Sequence, residues 1–305
     1  MEHEFISWIR ERLPSHPLLK IGVGDDAAVL RMAGTEECVV TVDMLMDHVD
    51  FELAQVDPRV VGRKALAANL SDLAAMAAQP LAGVIAVALP CERCSELAKA
   101  LYEGIMPLAE QYDLLIAGGD TNTWEGPLVI SITLIGKVTG RGPLCRNGAK
   151  PGDRILVTGF FGGSILRRHL DFDPRVREAI TLHANYELHA GIDSSDGLSL
   201  DLSHILEESN CGAVIESEAV PIDGDARRLA CRLNDSSTPL DHALGDGEDF
   251  ELILAVPPEE AKRIVETQPL DVQITDIGCF TDEPGLWIHD SRGSRRPLTP
   301  RGWQH

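Results

Sequence analysis

The sequence predicts a mixed α/β (α+β) fold in two units. Short strand-like runs alternate with amphipathic helical stretches along the whole chain. Six glycines and prolines (Gly140, Gly142, Pro143, Gly148, Pro151 and Gly152) break that alternation near the middle. The length, 305 residues, suits two domains of ordinary size better than one core. We therefore expect an N-terminal domain over 1–140 and a C-terminal domain over 141–305.

Residues 2–13 carry apolar positions at helical spacing (Phe5, Trp8, Ile9, Leu13) and stop at Pro14. Strand-like runs at 27–32 and 38–44 are joined by a short turn-rich link, which predicts a hairpin. Antiparallel pairing would bring Asp26 and Asp43 to the same end of the sheet. Asp57-Pro58 reads as a helix start. The alanine-rich helix beyond it is expected to be interrupted by Asn69-Leu-Ser-Asp72 and to resume to 78. A strand over 81–89, a helix over 93–111 and a short strand over 114–117 follow. That short strand empties into Gly118-Gly119-Asp120-Thr121, where glycines let backbone approach a ligand. A strand over 128–138 closes the first unit.

The second unit opens with a strand at 154–158 and helices near 161–170 and 174–188. Next comes Gly191-Ile-Asp193-Ser-Ser195-Asp196-Gly197 and a helix to about 209, with Ser195 or Asp196 as its cap. A strand at 213–216, a helix at 222–234, strands at 252–256 and 272–280 and a helix at 258–267 complete the pattern. The tail reads as loop.

The net charge of −21 excludes non-specific binding to nucleic acid or to an anionic membrane surface, both of which need a basic face. It suits a protein that binds cations, or binds anions through cations. No apolar run approaches the roughly 20 residues of a bilayer span. The acidic N-terminus is unlike a signal peptide, and the seven scattered cysteines suit a reducing compartment. These features predict a cytoplasmic location. The lone Cys91-Glu-Arg-Cys94 lacks the second pair a zinc site needs.

One theme recurs: aspartates pressed against glycine or small polar residues, at Asp26, Asp43, Asp72, Asp120, Asp193 and Asp196. As isolated features these are turns and caps. Together they suggest one cation site. Mg²⁺ is held by a few carboxylates, waters and substrate phosphates, and phosphoryl transfer needs alignment and charge neutralisation more than covalent help. No Walker phosphate loop, dinucleotide fingerprint or nucleophile elbow is present. If ATP is the donor, the acids must hold its phosphates through Mg²⁺, with Arg146 as a direct phosphate ligand.

Six segments, in order, resemble the thiamine-monophosphate kinase family, within the superfamily of aminoimidazole ribonucleotide synthetase and selenophosphate synthetase. They are Gly22-Val-Gly-Asp-Asp26-Ala-Ala-Val-Leu30, Ala65-Leu-Ala-Ala-Asn-Leu-Ser-Asp72-Leu-Ala-Ala-Met76, Gly118-Gly-Asp-Thr121, Arg146-Asn-Gly-Ala-Lys-Pro-Gly-Asp153, Gly191–Leu198 and Gly247-Glu-Asp-Phe-Glu-Leu252. The resemblance implies a two-domain aminoimidazole-ribonucleotide-synthetase-like fold whose N-terminal sheet pairs across a homodimer. It implies ATP-dependent phosphorylation of thiamine monophosphate, with several Mg²⁺ ions on Asp26, Thr41, Val42, Asp43, Asp72, Asp120, Asp193 and Asp196. Nucleotide contacts would fall on Gly119, Asp120, Arg146 and Ser195, and the residues closest to the chemistry would be Asp120, Asp196 and Arg146. Acceptor contacts would fall near Glu248 and Trp303.

One position departs from the family pattern. Asp50-Phe51 stands where a histidine usually precedes the phenylalanine, and a carboxylate repels a phosphate unless a cation lies between them. His48 would share a strand face with Asp50 and is the alternative donor. Two other readings follow: a related ATP-using enzyme with a different acceptor, and a non-enzymatic binder of thiamine phosphate or cations.

Overall fold

A computed structural model describes residues 10, 16–22, 24–32, 37–232 and 237–303. The helix expected over 2–13 and the link of the first hairpin lie outside these residues, apart from Arg10. The apolar runs of the first unit form β1 (Leu19–Ile21), β2 (Ala28–Arg31), β3 (Glu37–Met46), β4 (Gln79–Pro90), β5 (Leu115–Trp124) and β6 (Val129–Lys137). Their order in one sheet is β1-β2-β3-β6-β4-β5. All pairs are antiparallel except β4 with β5. Alternation separates the faces. Val39, Ile85, Ile130, Ile132 and Leu134 are buried, while Val42, Met44, Val84 and Ile135 on the other face stay exposed.

Helices α1 (Pro58–Ala75) and α2 (Cys94–Gln111) join the first core. They approach closely at reciprocal glycines: a Cβ on Gly62 would meet the Leu101 carbonyl, and one on Gly104 the Arg59 carbonyl. Asn69-Leu-Ser-Asp72 does not interrupt α1, contrary to the sequence expectation. Its polar side chains are satisfied within the fold, since Asn69 Nδ2 donates to the Ala65 carbonyl at 3.0 Å and Ser71 Oγ donates to Asp193 at 2.5 Å. Gly118–Thr121 is also not a loop. β5 continues through it because Gly119 and Asp120 pair with Ile85 and Ala86 of β4. Gly119 is required there, as a Cβ would overlap the Ile85 carbonyl.

The second sheet contains β7 (Arg154–Thr158), β8 (Ala190–Asp193), β9 (Gly212–Glu216), β10 (Leu252–Val256), β11 (Ile274–Thr281), β12 (Gly285–His289) and β13 (Arg295–Pro297). Their order is β13-β12-β9-β11-β7-β10-β8. β12 and β13 fall where the sequence reads as loop. Helices α3 (Arg168–Asp171), α4 (Val176–Asn185), α5 (Leu198–Ser209), α6 (Gly224–Arg232), α7 (Pro239–Gly245) and α8 (Pro258–Thr267) accompany it.

One face of this sheet buries Ile192, Ile215 and Ile253 with Leu198, Leu202 and Ile205 of α5. The other face, with Leu156, Leu252, Leu254 and Val256, belongs to the core that also contains Leu66, Leu70 and Leu73 of α1. Each such side chain contributes about 1.5–3 kcal/mol when fully buried. One apolar cluster therefore spans both sheets and brings α1 against the end of β8.

Candidate active site

The carboxylates that the sequence scatters meet where α1 faces β8. Asp26 precedes β2, Asp72 lies in the last turn of α1 and Asp193 ends β8. One oxygen from each lies within 4.8 Å of the others. Thr41 Oγ1, from β3, donates to Asp72. Asn69 accepts the backbone N–H of Asp43 at 3.0 Å, tying β3 to α1. Arg146 comes from the segment between the sheets. Its Nη2 donates to Asp26 Oδ1 at 2.7 Å, and its backbone N–H points to the Asp25 carboxylate at 3.3 Å.

Charge is unbalanced here. Burial, and then the neighbouring Asp43 and Asp193, push the Asp72 carboxyl well above its usual range. Burial, reinforced by Asp26, pushes Asp193 up to about 7, and the same two causes raise Asp25 to about 7. Burial opposes the charge on Arg146, but Asp26 and Asp25 more than offset it and hold the guanidinium protonated. The second oxygen of Asp26, the Nε of Arg146 and the Ser194 hydroxyl are buried with no hydrogen-bond partner among the described residues. Hard oxygen donors in excess of nearby positive charge, one of them buried and unpaired, fit Mg²⁺ and the phosphates it carries.

Asp196 and Ser195 lie in the β8–α5 loop beside this cluster. Neither caps α5. The cap residue is Gly197, and the Asp201 carboxylate accepts the N–H groups of Gly197 at 2.8 Å and Asp196 at 3.1 Å. The backbone N–H of Trp303 donates to the Asp196 carbonyl at 2.9 Å, which brings the C-terminal aromatic to this loop. Glu248 follows at the same place, its N–H donating to the Ser195 carbonyl at 2.7 Å.

Two expectations change. His48 and Asp50 do not share a strand face, because β3 ends at Met46 and His48 takes a left-handed φ of 72° in the turn that follows. The Asp50 carboxylate accepts the Met46 N–H at 2.7 Å and closes that turn. His48 is exposed beside Glu52, 3.0 Å away, which together with Asp47 raises its pKa. Asp120 is not brought to the cluster within one chain. It sits in the row Met44–Ser131–Ala86–Asp120, on the uncovered face and the edge strand. Three strand spacings separate it from β3, about 14 Å. Val42 also directs its side chain to that face, so only its backbone could serve the cluster.

Sequence reading missed Asp25, Ser71 and Asn69, although each lies inside a quoted motif. It also missed Lys64, Arg168, Arg175 and Asp201, for which no local signal exists.

Two sheets that bring acids and Arg146 together define a two-sheet α/β protein whose site suits phosphates carried by divalent cations. The AIR synthase related protein, N-terminal domain, matches residues 24–138, and the corresponding C-terminal domain matches 150–290. The chain is 42% identical to thiamine-monophosphate kinase of Rhodopirellula baltica, over 100% of this chain and 97% of that one. It is 34% identical to thiamine-monophosphate kinase of Caulobacter vibrioides, over 92% and 84%. A solved structure described as AaThiL complexed with AMPPCP and TMP superposes with a TM-score of 0.85 at 26% identity, covering 100% of this chain and 96% of that one. Thiamine-monophosphate kinase from Stenotrophomonas maltophilia K279a superposes at 0.74 with 33% identity, over 93% and 95%. The chain belongs to the thiamine-monophosphate kinase family.

Proposed function

We propose that the chain transfers the γ-phosphoryl group of ATP to thiamine monophosphate, giving ADP and thiamine diphosphate. The observation that carries this reading is the convergence of Asp26, Asp72 and Asp193 from both domains beside Arg146. Asp26, Asp43, Asp72, Asp193 and Asp196, with Thr41 and the backbone of Val42, would hold Mg²⁺, which when bound neutralises charge on the transferred group. Gly119, Asp120, Arg146 and Ser195 bind the nucleotide. Glu248 and Trp303 receive the thiamine part, near the turn that carries His48 and Asp50. The acceptor oxygen already belongs to a phosphate, so positioning suffices and no general base is needed. The boundary near residue 140 then runs through the site: the first unit supplies Asp26, Asp43, Asp72 and Asp120, and the second completes it with Arg146, Asp193, Ser195 and Asp196 and the acceptor contacts Glu248 and Trp303.

The position of Asp120 supports a homodimer. The uncovered face of the first sheet exposes Val42 (61%), Met44 (59%) and Leu115 (63%), an apolar patch suited to a second copy. Asp120 lies on this face and reaches the acidic cluster of the other copy. The enzyme acts in the cytoplasm. Among the described residues no helix is long and apolar enough to cross a membrane.

The test incubates the protein with ATP, Mg²⁺ and thiamine monophosphate and separates the thiamine esters. ADP with thiamine diphosphate is expected. ATP turnover with the ester unchanged would refute this acceptor and favour a related enzyme, for which Asp50 is the motivating feature. For the dimer, Asp120→Asn and Asp193→Asn each lose most turnover alone and recover activity when mixed. No recovery in a mixed dimer verified by native mass spectrometry would return Asp120 to its own chain's site or remove it from any.

A further inference from the structure

Lys64 lies in the middle of α1 with its side chain 1% exposed. Its ammonium donates to the Asp50 carbonyl at 2.8 Å and pairs with Glu248 Oε1 at 2.5 Å. Burying an ammonium is costly unless partners hold it, so α1 presents this charge to two specified groups. One ends the turn after β3. The other stands in the loop between α7 and β10. Lys64 thus joins the two segments on which acceptor contacts are proposed.

The loop itself shows what is particular about Glu248. Three of its acids each meet a different cation. Arg168 pairs with Asp249 at 2.8 Å, and Arg175 pairs with Glu251 through two bonds at 2.5 and 2.7 Å. Those carboxylates are 0% and 5% exposed, held inside the second domain by arginines of that same domain. Glu248 is 32% exposed, and its cation comes from the first domain. Its backbone is also strained, with φ of 51° at Glu248 and 51° at Phe250. Strain at a half-exposed carboxylate, held from below by a buried lysine, marks a side chain fixed for an outside ligand rather than for the core.

We propose that Lys64 is a positioning residue for the acceptor: it holds the Glu248 carboxylate, across the domain boundary, at the angle that receives the cationic thiamine moiety. Lys64 does not touch the substrate. It acts through Glu248, and by gripping the Asp50 carbonyl it keeps the turn after β3 in register with that carboxylate. This inference rests on the kinase reading above.

The experiment is a double-mutant cycle of Lys64→Met and Glu248→Gln, read as separate KM values for thiamine monophosphate and ATP. Lys64→Met is expected to raise the acceptor KM about tenfold and leave the ATP KM within twofold. In the Glu248→Gln background Lys64→Met is expected to add less than twofold. The double variant strands no buried charge, so it folds even if Lys64→Met alone does not, and its comparison with Glu248→Gln is then decisive. A full additional tenfold in that background, or equal changes in both KM values, would overturn the proposal and leave Lys64 a domain clamp. If the unaltered protein forms no thiamine diphosphate, the kinase reading fails and the cycle is not the cause.

Discussion

The molecule contains two groups of acids, one gathered from three elements and one within a single loop, that treat charge in opposite ways. Around Asp26, Asp72 and Asp193 carboxylates face one another with the Arg146 guanidinium beside them, and burial drives the Asp72 and Asp193 pKa values upward. In the loop from Asp246 to Glu251 each acid has its own donor: the Gly163 amide for Asp246, Lys64 for Glu248, Arg168 for Asp249 and Arg175 for Glu251. The first group is built for cations from outside, whereas in the second every acid is already partnered and only the half-exposed Glu248 is also open to an outside ligand. Counting aspartates does not distinguish them. The positions of the basic side chains do.

Removing a charge should therefore have opposite consequences in the two places. Asp193→Asn should lower kcat by about 10²–10³-fold, the scale of one electrostatic contribution, yet raise the melting temperature of the metal-free protein by relieving repulsion. Steady-state kinetics and thermal melts in a chelator check both; a lower metal-free melting temperature would contradict the contrast. Glu251→Gln should do the reverse. It leaves the half-buried Arg175 without its main carboxylate and should cost about 1–3 kcal/mol in urea unfolding, with Mg²⁺ giving no rescue.

The contrast also predicts a pH response. Asp193 has an ordinary unfolded pKa near ~3.9 and a folded value pushed up to about 7. The folded state thus holds the proton more tightly. Its stabilisation is present below the unfolded value and is lost as pH rises through 7. Metal-free protein should lose several degrees of melting temperature between pH 4 and 7, and saturating Mg²⁺ should flatten the curve. A profile unaffected by Mg²⁺ would place the titration elsewhere.

The smallest expected effect lies between the two groups of acids. Asp50→Ala removes the bond to the Met46 N–H and should cost about 1 kcal/mol, measured as a shift in the urea midpoint. A large loss of turnover with little loss of stability would instead make Asp50 a direct acceptor contact.

Much was legible from residues alone. Strands and helices alternate as the apolar periodicity requires, because side-chain period is a local property of the backbone. Asp26, Asp72 and Asp193 stand out because small neighbours let carboxylates turn toward a ligand. The reading failed where local signals mislead. Asn69 and Ser71 look like a helix break, but Ala65 and Asp193 satisfy them. Gly118–Thr121 looks like a loop, but β4 supplies it with a strand partner.

By itself the sequence determined the two-unit α/β pattern, a set of six candidate acids that contains the three that cluster, and the absence of a Walker phosphate loop or nucleophile elbow. Only the tertiary structure decided which acids are neutralised, because Lys64, Arg168 and Arg175 meet their partners through the packing of α1 and the α3–α4 segment against a distant loop. It alone put Asp120 on the far face of the first sheet. A shift of one residue in strand register moves a side chain to the other face. Local periodicity carries no record of register between distant strands, so that choice emerges only when the sheet is assembled.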